Sequence, residues 1–104
     1  MKRHEKYIER NDLKGASHLE IAVYYTKGGN NPLSGGITPR GYYLSVRPVT
    51  LRSGMVSFEL FSGHRQLLFE ASRFTAKQFA KAVAMARDVE DELIASVAAE
   101  NQAA

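Results

Sequence analysis

Tyr24, Tyr43 and Phe61 are aromatic and Arg47 is cationic, and period-two spacing sends all four to one side of a sheet. Lys27, Arg40, Arg52 and Arg65 stand near the ends of the same segments. Rings interleaved with guanidinium groups suit single-stranded nucleic acid: rings stack on bases and cations hold phosphates. The competing use of the same rings is packing, either across neighbouring strands or against a protein partner or a second copy of the chain. An aromatic-lined sheet is the premise of both readings.

Other chemistry finds little support in the residue spacing. His4, His18 and His64 are the only imidazoles, and none stands three or four residues from another, so no zinc pattern forms. Glu20, Glu59 and Glu70 are scattered over different strands, while Asp88, Glu90, Asp91 and Glu92 read as the solvated face of a helix. No serine sits in a Gly-x-Ser-x-Gly elbow, and the absence of cysteine removes thiol nucleophiles and disulfides. The glycine-rich stretch Lys27–Gly41 lacks the Gly-Lys-Ser/Thr ending of a phosphate loop and leads into a strand, not a helix. The stretch reads instead as an excursion joining two strands, or as one whose Asn30, Asn31 and Arg40 close over a bound chain or partner. The expectation is a binding protein that is not an enzyme and uses no cofactor or metal.

The elements that must position these residues follow from hydrophobic period. Leu19, Ile21, Val23 and Tyr25 alternate with Glu20, Ala22 and Tyr24 in a first strand over 19–25. A second strand, 42–51, sends Tyr42, Leu44 and Val46 one way and Tyr43, Ser45 and Arg47 the other. Pro48 cannot donate to a ladder and implies a bulge or an edge. A third strand over 55–61 sends Val56, Phe58 and Leu60 inward, and a fourth over 65–71 does the same with Leu67 and Phe69. At Phe74 the period changes to 3.6. Thr75 and Gln78 have the spacing of a capping box, Phe74 and Phe79 that of a hydrophobic staple, and an apolar stripe runs on to Val97. Glu90 interrupts that stripe, which predicts that the last turns overhang the sheet, solvated or packed on a partner. The alternative function is thus a protein-interaction or inhibitor module using the aromatic face or this overhang.

The fold class expected is α+β: a four-stranded antiparallel meander followed by one long C-terminal helix packed on one face. A single domain of 104 residues divides into an arm (1–17), the sheet (18–71), the helix (74–97) and a frayed tail (98–104). The net charge of +3 hides a polarity, because residues 15–87 carry nine Lys/Arg against three acids and residues 88–104 carry five acids and no base. A basic body fits a polyanionic partner. The charged start of the chain and the lack of any run of about 18 apolar residues predict a cytoplasmic location and no membrane partner.

The segments Arg40–Val46, Gly54–Phe58 and Phe61–Gly63 resemble small proteins carried on conjugative and other mobile elements of Gram-positive gut bacteria. That group brings no established activity, so the resemblance implies a mobile-element setting and assigns no residue a role. Four strands followed by a helix is also similar, in architecture only, to single-stranded DNA-binding folds of the positive-cofactor type. That likeness implies a homodimer.

Overall fold

The computed structural model describes residues 3–31, 36–52, 55–58 and 63–103, with the side chains of Asn31 and 55–58 left aside. It is an α+β fold. Strands β1 (Arg3–Glu9), β2 (His18–Thr26), β3 (Gly29–Asn31), β4 (Gly36–Thr38), β5 (Gly41–Arg52), β6 (Met55–Phe58) and β7 (His64–Glu70) precede one helix, α1 (Ala76–Ala103). The main sheet is antiparallel throughout. It runs β1-β2-β5-β6, with β7 also paired to β5, while β3 and β4 form a separate hairpin.

Helix α1 covers the face that carries Leu19, Ile21, Val23, Tyr25, Tyr42, Leu44 and Val46, and Phe79, Ala82, Ala86 and Val97 complete the core. The alternation of β2 and β5 therefore reads the buried face correctly. The register Tyr24↔Tyr43 and Glu20↔Arg47 keeps the other face in phase across the two strands. Directly opposed residues of an antiparallel pair lie on the same side.

Pro48 explains how one edge of β5 serves two strands. The hydrogen bond from Arg10 N to Ser17 O (3.0 Å) sets the ladder phase of β1 and β2. Carried across β2, that phase aims the N–H groups of even-numbered β5 residues away from β2. A residue at 48 would therefore donate toward the edge shared by β6 and β7. That is the gap between them: β7 pairs with 41–46 and β6 with 49–52. Among the described residues, no strand lies opposite the proline to need its donor.

Five expectations change. The arm contains an edge strand, β1, paired along its length with β2. The stretch 27–41, read as a loop, contains the β3–β4 hairpin. The tail is helical through Ala103, and Val97 and Ala98 are buried. The last turns do not overhang: Glu90 accepts from Lys6 Nζ at 2.9 Å, and Asn101 clasps Lys14 through Lys14 N to Oδ1 (2.7 Å) and Nδ2 to Lys14 O (3.1 Å). Lastly, a register shift pairs Phe69 with Tyr42 but Leu67 with Tyr43, skipping Leu68. This bulge turns Leu67 away from the helix and gives its inward place to Leu68. The inward reading of Val56, Phe58 and Leu60 concerns side chains outside the described residues.

The helix start is capped as its sequence indicates, with one substitution of partner. Gln78 N donates to Thr75 Oγ1 at 3.1 Å, and the Phe74 and Phe79 rings meet at 5.5 Å. The Thr75 N–H, however, goes to the Tyr42 hydroxyl at 2.9 Å instead of the Gln78 side chain. Tyr42 in turn donates toward Thr75 O (3.2 Å) and Gln78 Oε1 (3.3 Å), so a core tyrosine ties the cap to the sheet. Among the described residues no helix is long and apolar enough to cross a membrane.

Candidate functional site

The sheet face away from α1 is organised as two rows of side chains running across the strands. The first row is Arg3, Tyr24, Tyr43 and Arg65, from β1, β2, β5 and β7. The two rings stack at 6.0 Å with 18° between their planes. Arg3 caps Tyr24 at 5.3 Å, and Arg65 caps Tyr43 at 5.1 Å. A guanidinium over a tyrosine face is attracted by the ring quadrupole, by about 0.5–1 kcal/mol where solvent reaches it.

The second row is built on Glu20, which is 2% exposed. Its Oε1 accepts from Arg47 Nε at 2.7 Å and from Arg3 Nη2 at 3.1 Å, and its Oε2 accepts from the Tyr7 hydroxyl at 3.0 Å. A buried carboxylate needs such partners, because unpaired it would carry its full desolvation penalty. Arg3 belongs to both rows and joins them.

Of the residues expected to form a binding surface, the structure gathers some and separates others. Tyr24 is half-buried, and Tyr43 is only 4% exposed, its hydroxyl donating to Pro39 O at 2.7 Å. The outer face therefore does not offer Tyr43 as an open stacking ring; its faces are taken by Tyr24 and Arg65. Arg47 is engaged with Glu20, and is not a free phosphate ligand. Arg65, Lys27 and Arg40 are exposed and lie together at the β3–β4 end. Arg65 Nη2 donates to Thr38 Oγ1 (3.0 Å), and Arg40 donates to Lys27 O (3.2 Å) and Ser72 O (3.3 Å). Arg52 is exposed at the other end of β5, about 30 Å along the strand from Tyr43 at 3.3 Å per residue. Phe61 lies outside the described residues.

Beside Arg65 is a shallow polar recess of about 180 Å³, lined by Thr26, Gly28, Gly29, Asn30, Thr38 and Arg65 and by no carboxylate. Gly28 has φ +70°, and a Cβ there would lie 2.2 Å from Thr38 O. That close approach holds the hairpin against β2 and shapes the recess. Lys77 and Lys81 oppose the helix dipole, and the structure gives Lys81 a use: its ammonium stands 5.0 Å from the Phe69 ring centroid.

Spacing analysis of the apolar pattern missed Arg3, Tyr7 and Glu20. The available signal was the single charge at Glu20, inside the otherwise apolar run Leu19–Tyr25, which demands a cationic partner on a neighbouring strand.

Burial raises the Tyr7 phenol above its ordinary pKa, and the hydrogen bond to Glu20 adds to this. Burial likewise raises Tyr43, with Arg65 pulling the other way. A phenol whose folded pKa is raised stays protonated after its unfolded counterpart ionises. It therefore stabilises the fold fully below the unfolded pKa of about 10, and that contribution fades as pH climbs toward the folded value. An absorbance titration will show a late phenolate component that shrinks in Tyr7→Phe and Tyr43→Phe, with melting temperature falling above about pH 10. A late component that survives unchanged in both variants, or is never seen, would refute this.

Comparison with protein-family models, curated proteins and solved structures returned no match, so the site is interpreted from its own chemistry.

Proposed function

We propose that the protein binds single-stranded nucleic acid without catalysing a reaction, in the cytoplasm and as a component of a mobile element. The observation that carries this reading is the row Arg3–Tyr24–Tyr43–Arg65, whose Arg65 end is exposed, while Arg3, held by Glu5 at 2.9 Å and Glu20 at 3.1 Å, closes the other end and the rings are engaged. Bases stack on arginine planes as they do on aromatic rings, and the same groups donate to phosphates. The tyrosines then act as a floor that fixes the guanidinium planes, and Lys27 and Arg40 extend the positive surface past Arg65. The mobile-element setting rests on the resemblance of the Arg40–Val46 and Gly54–Phe58 segments.

Anisotropy titrations with labelled single- and double-stranded oligonucleotides at two salt concentrations test this proposal. Arg65→Ala and Lys27→Ala should each flatten the slope of log K against log salt by about 0.7, one single-strand phosphate contact apiece. Lys27→Ala removes an exposed side chain and should barely move the melting temperature, whereas Arg65→Ala also gives up the Tyr43 and Thr38 contacts and should lower it by a few degrees. Absence of salt-sensitive binding to any oligonucleotide would falsify the nucleic-acid reading. The second reading, a protein-interaction module on the same face, then takes its place. Ile37, 78% exposed on β4 beside the recess, favours it.

A further inference from the structure

We propose that two copies of this chain pair through β1, joining their main sheets into one continuous antiparallel sheet. The inference does not depend on nucleic-acid binding. Strand β1 is the edge beyond β2, seven residues long, with no proline and no register shift. The bond from Arg10 N to Ser17 O fixes which of its backbone groups face β2. Arg10, Ile8, Lys6 and His4 bond inward, so the N–H and C=O groups of Arg3, Glu5, Tyr7 and Glu9 point out of the sheet. None of these has a partner among the described residues, and the strand is exposed along nearly its whole length. An edge with unpaired N–H and C=O groups can add another strand, and its charges decide which strand that is.

Charge selects a second copy as that strand, and selects its register. In antiparallel self-pairing about Lys6, Arg3 lies opposite Glu9 of the second copy, and this pair occurs twice by symmetry. Moving the register by two residues in one direction places Glu5 opposite Glu9, like charges that repel. In the other it forfeits both Arg3–Glu9 pairs and sets Glu5, whose counter-charge is Arg3 of the same chain at 2.9 Å, opposite its own copy. The two Lys6 residues meet at the symmetry axis, where each ammonium is already held by its own Glu90 at 2.9 Å. The Glu9 side chain is 86% exposed and, among the described residues, approaches only His18, at 4.0 Å, so it is available to Arg3 of the second copy. Both Arg3–Tyr24–Tyr43–Arg65 rows then lie on the same side of the joined sheet.

The test is the mass of the full chain in solution without nucleic acid, measured by sedimentation across a concentration series. A dimer that dissociates on dilution is expected. Glu5→Pro removes an outward N–H while leaving every bond to β2 in place, so it should give single-chain mass at all concentrations with an unchanged circular dichroism spectrum. Glu9→Lys turns both Arg3–Glu9 pairs repulsive and should raise the dissociation constant roughly tenfold or more. If Glu5→Pro fails to fold, Glu9→Lys decides alone, because that side chain is solvent-exposed. A monomer at the highest attainable concentration, or a dimer indifferent to Glu9→Lys, overturns the proposal.

Discussion

Glu20→Ala will destabilise the protein by about 3 kcal/mol, measured by urea unfolding, and will strip hydrogen-exchange protection from β1 before any other strand. Removing one member of a buried charge cluster costs roughly 3–5 kcal/mol when the remaining charge is trapped. The low end applies because the guanidiniums of Arg47 and Arg3 are about a third accessible and rehydrate, and Arg3 keeps its pairing with Glu5 at 2.9 Å. The effect concentrates on β1 for a geometric reason. Two of the three groups that Glu20 accepts from, Arg3 and Tyr7, belong to that strand. Glu20→Gln should cost less, since an amide still accepts from one guanidinium. A Glu20→Ala protein within about 1 kcal/mol of the parent would show the cluster to be a bystander.

Tyr42→Ala is the most damaging single substitution expected in the core. Tyr42 is fully buried and contacts the rings of Tyr25, Phe69 and Phe74 at centroid distances of 5.1, 4.9 and 6.1 Å. Loss of a buried aromatic costs about 3–5 kcal/mol, which approaches the whole stability of a domain of about this size. Tyr42→Phe keeps the packing and isolates the hydroxyl. It leaves the Thr75 N–H without its partner at the start of α1 and should cost about 1–3 kcal/mol. Equal stability of Tyr42→Phe and parent would mean that the capping link is dispensable.

These two sites mark what the sequence could and could not reveal. Tyr42 stood among alternating apolar residues, so its burial and the faces of β2 and β5 were readable from period alone. The cap at Thr75 was readable for the same local reason, with Gln78 and Phe79 a few positions away. The tyrosine that completes it lies 33 residues upstream, beyond any local pattern. Strand β1 was hidden because its sequence, Arg-His-Glu-Lys-Tyr-Ile-Glu, shows no apolar alternation. An edge strand held by ion pairs to Glu20 and Glu90 needs none. The Leu68 bulge left no mark, since Leu67, Leu68 and Phe69 are all apolar and either register satisfies the pattern. Of the expected site, sequence reasoning found the two tyrosines and Arg65 but took Tyr43 for an open ring. The arginine that caps the other end of the row sits on the hidden strand.

The clasp between Asn101 and Lys14 turns α1 into a ruler. One end of the helix is fixed by Thr75 and Tyr42, the other by two hydrogen bonds to a single backbone residue, about 39 Å away at the rise of an α-helix. Inserting one residue between those points would swing Asn101 by about 100° around the axis and lift it off the loop. Insertions of whole turns would restore its heading but carry it past its target. Both the length of this helix and its phase are thereby set by the two ends that grip it, whatever residues its exposed side carries.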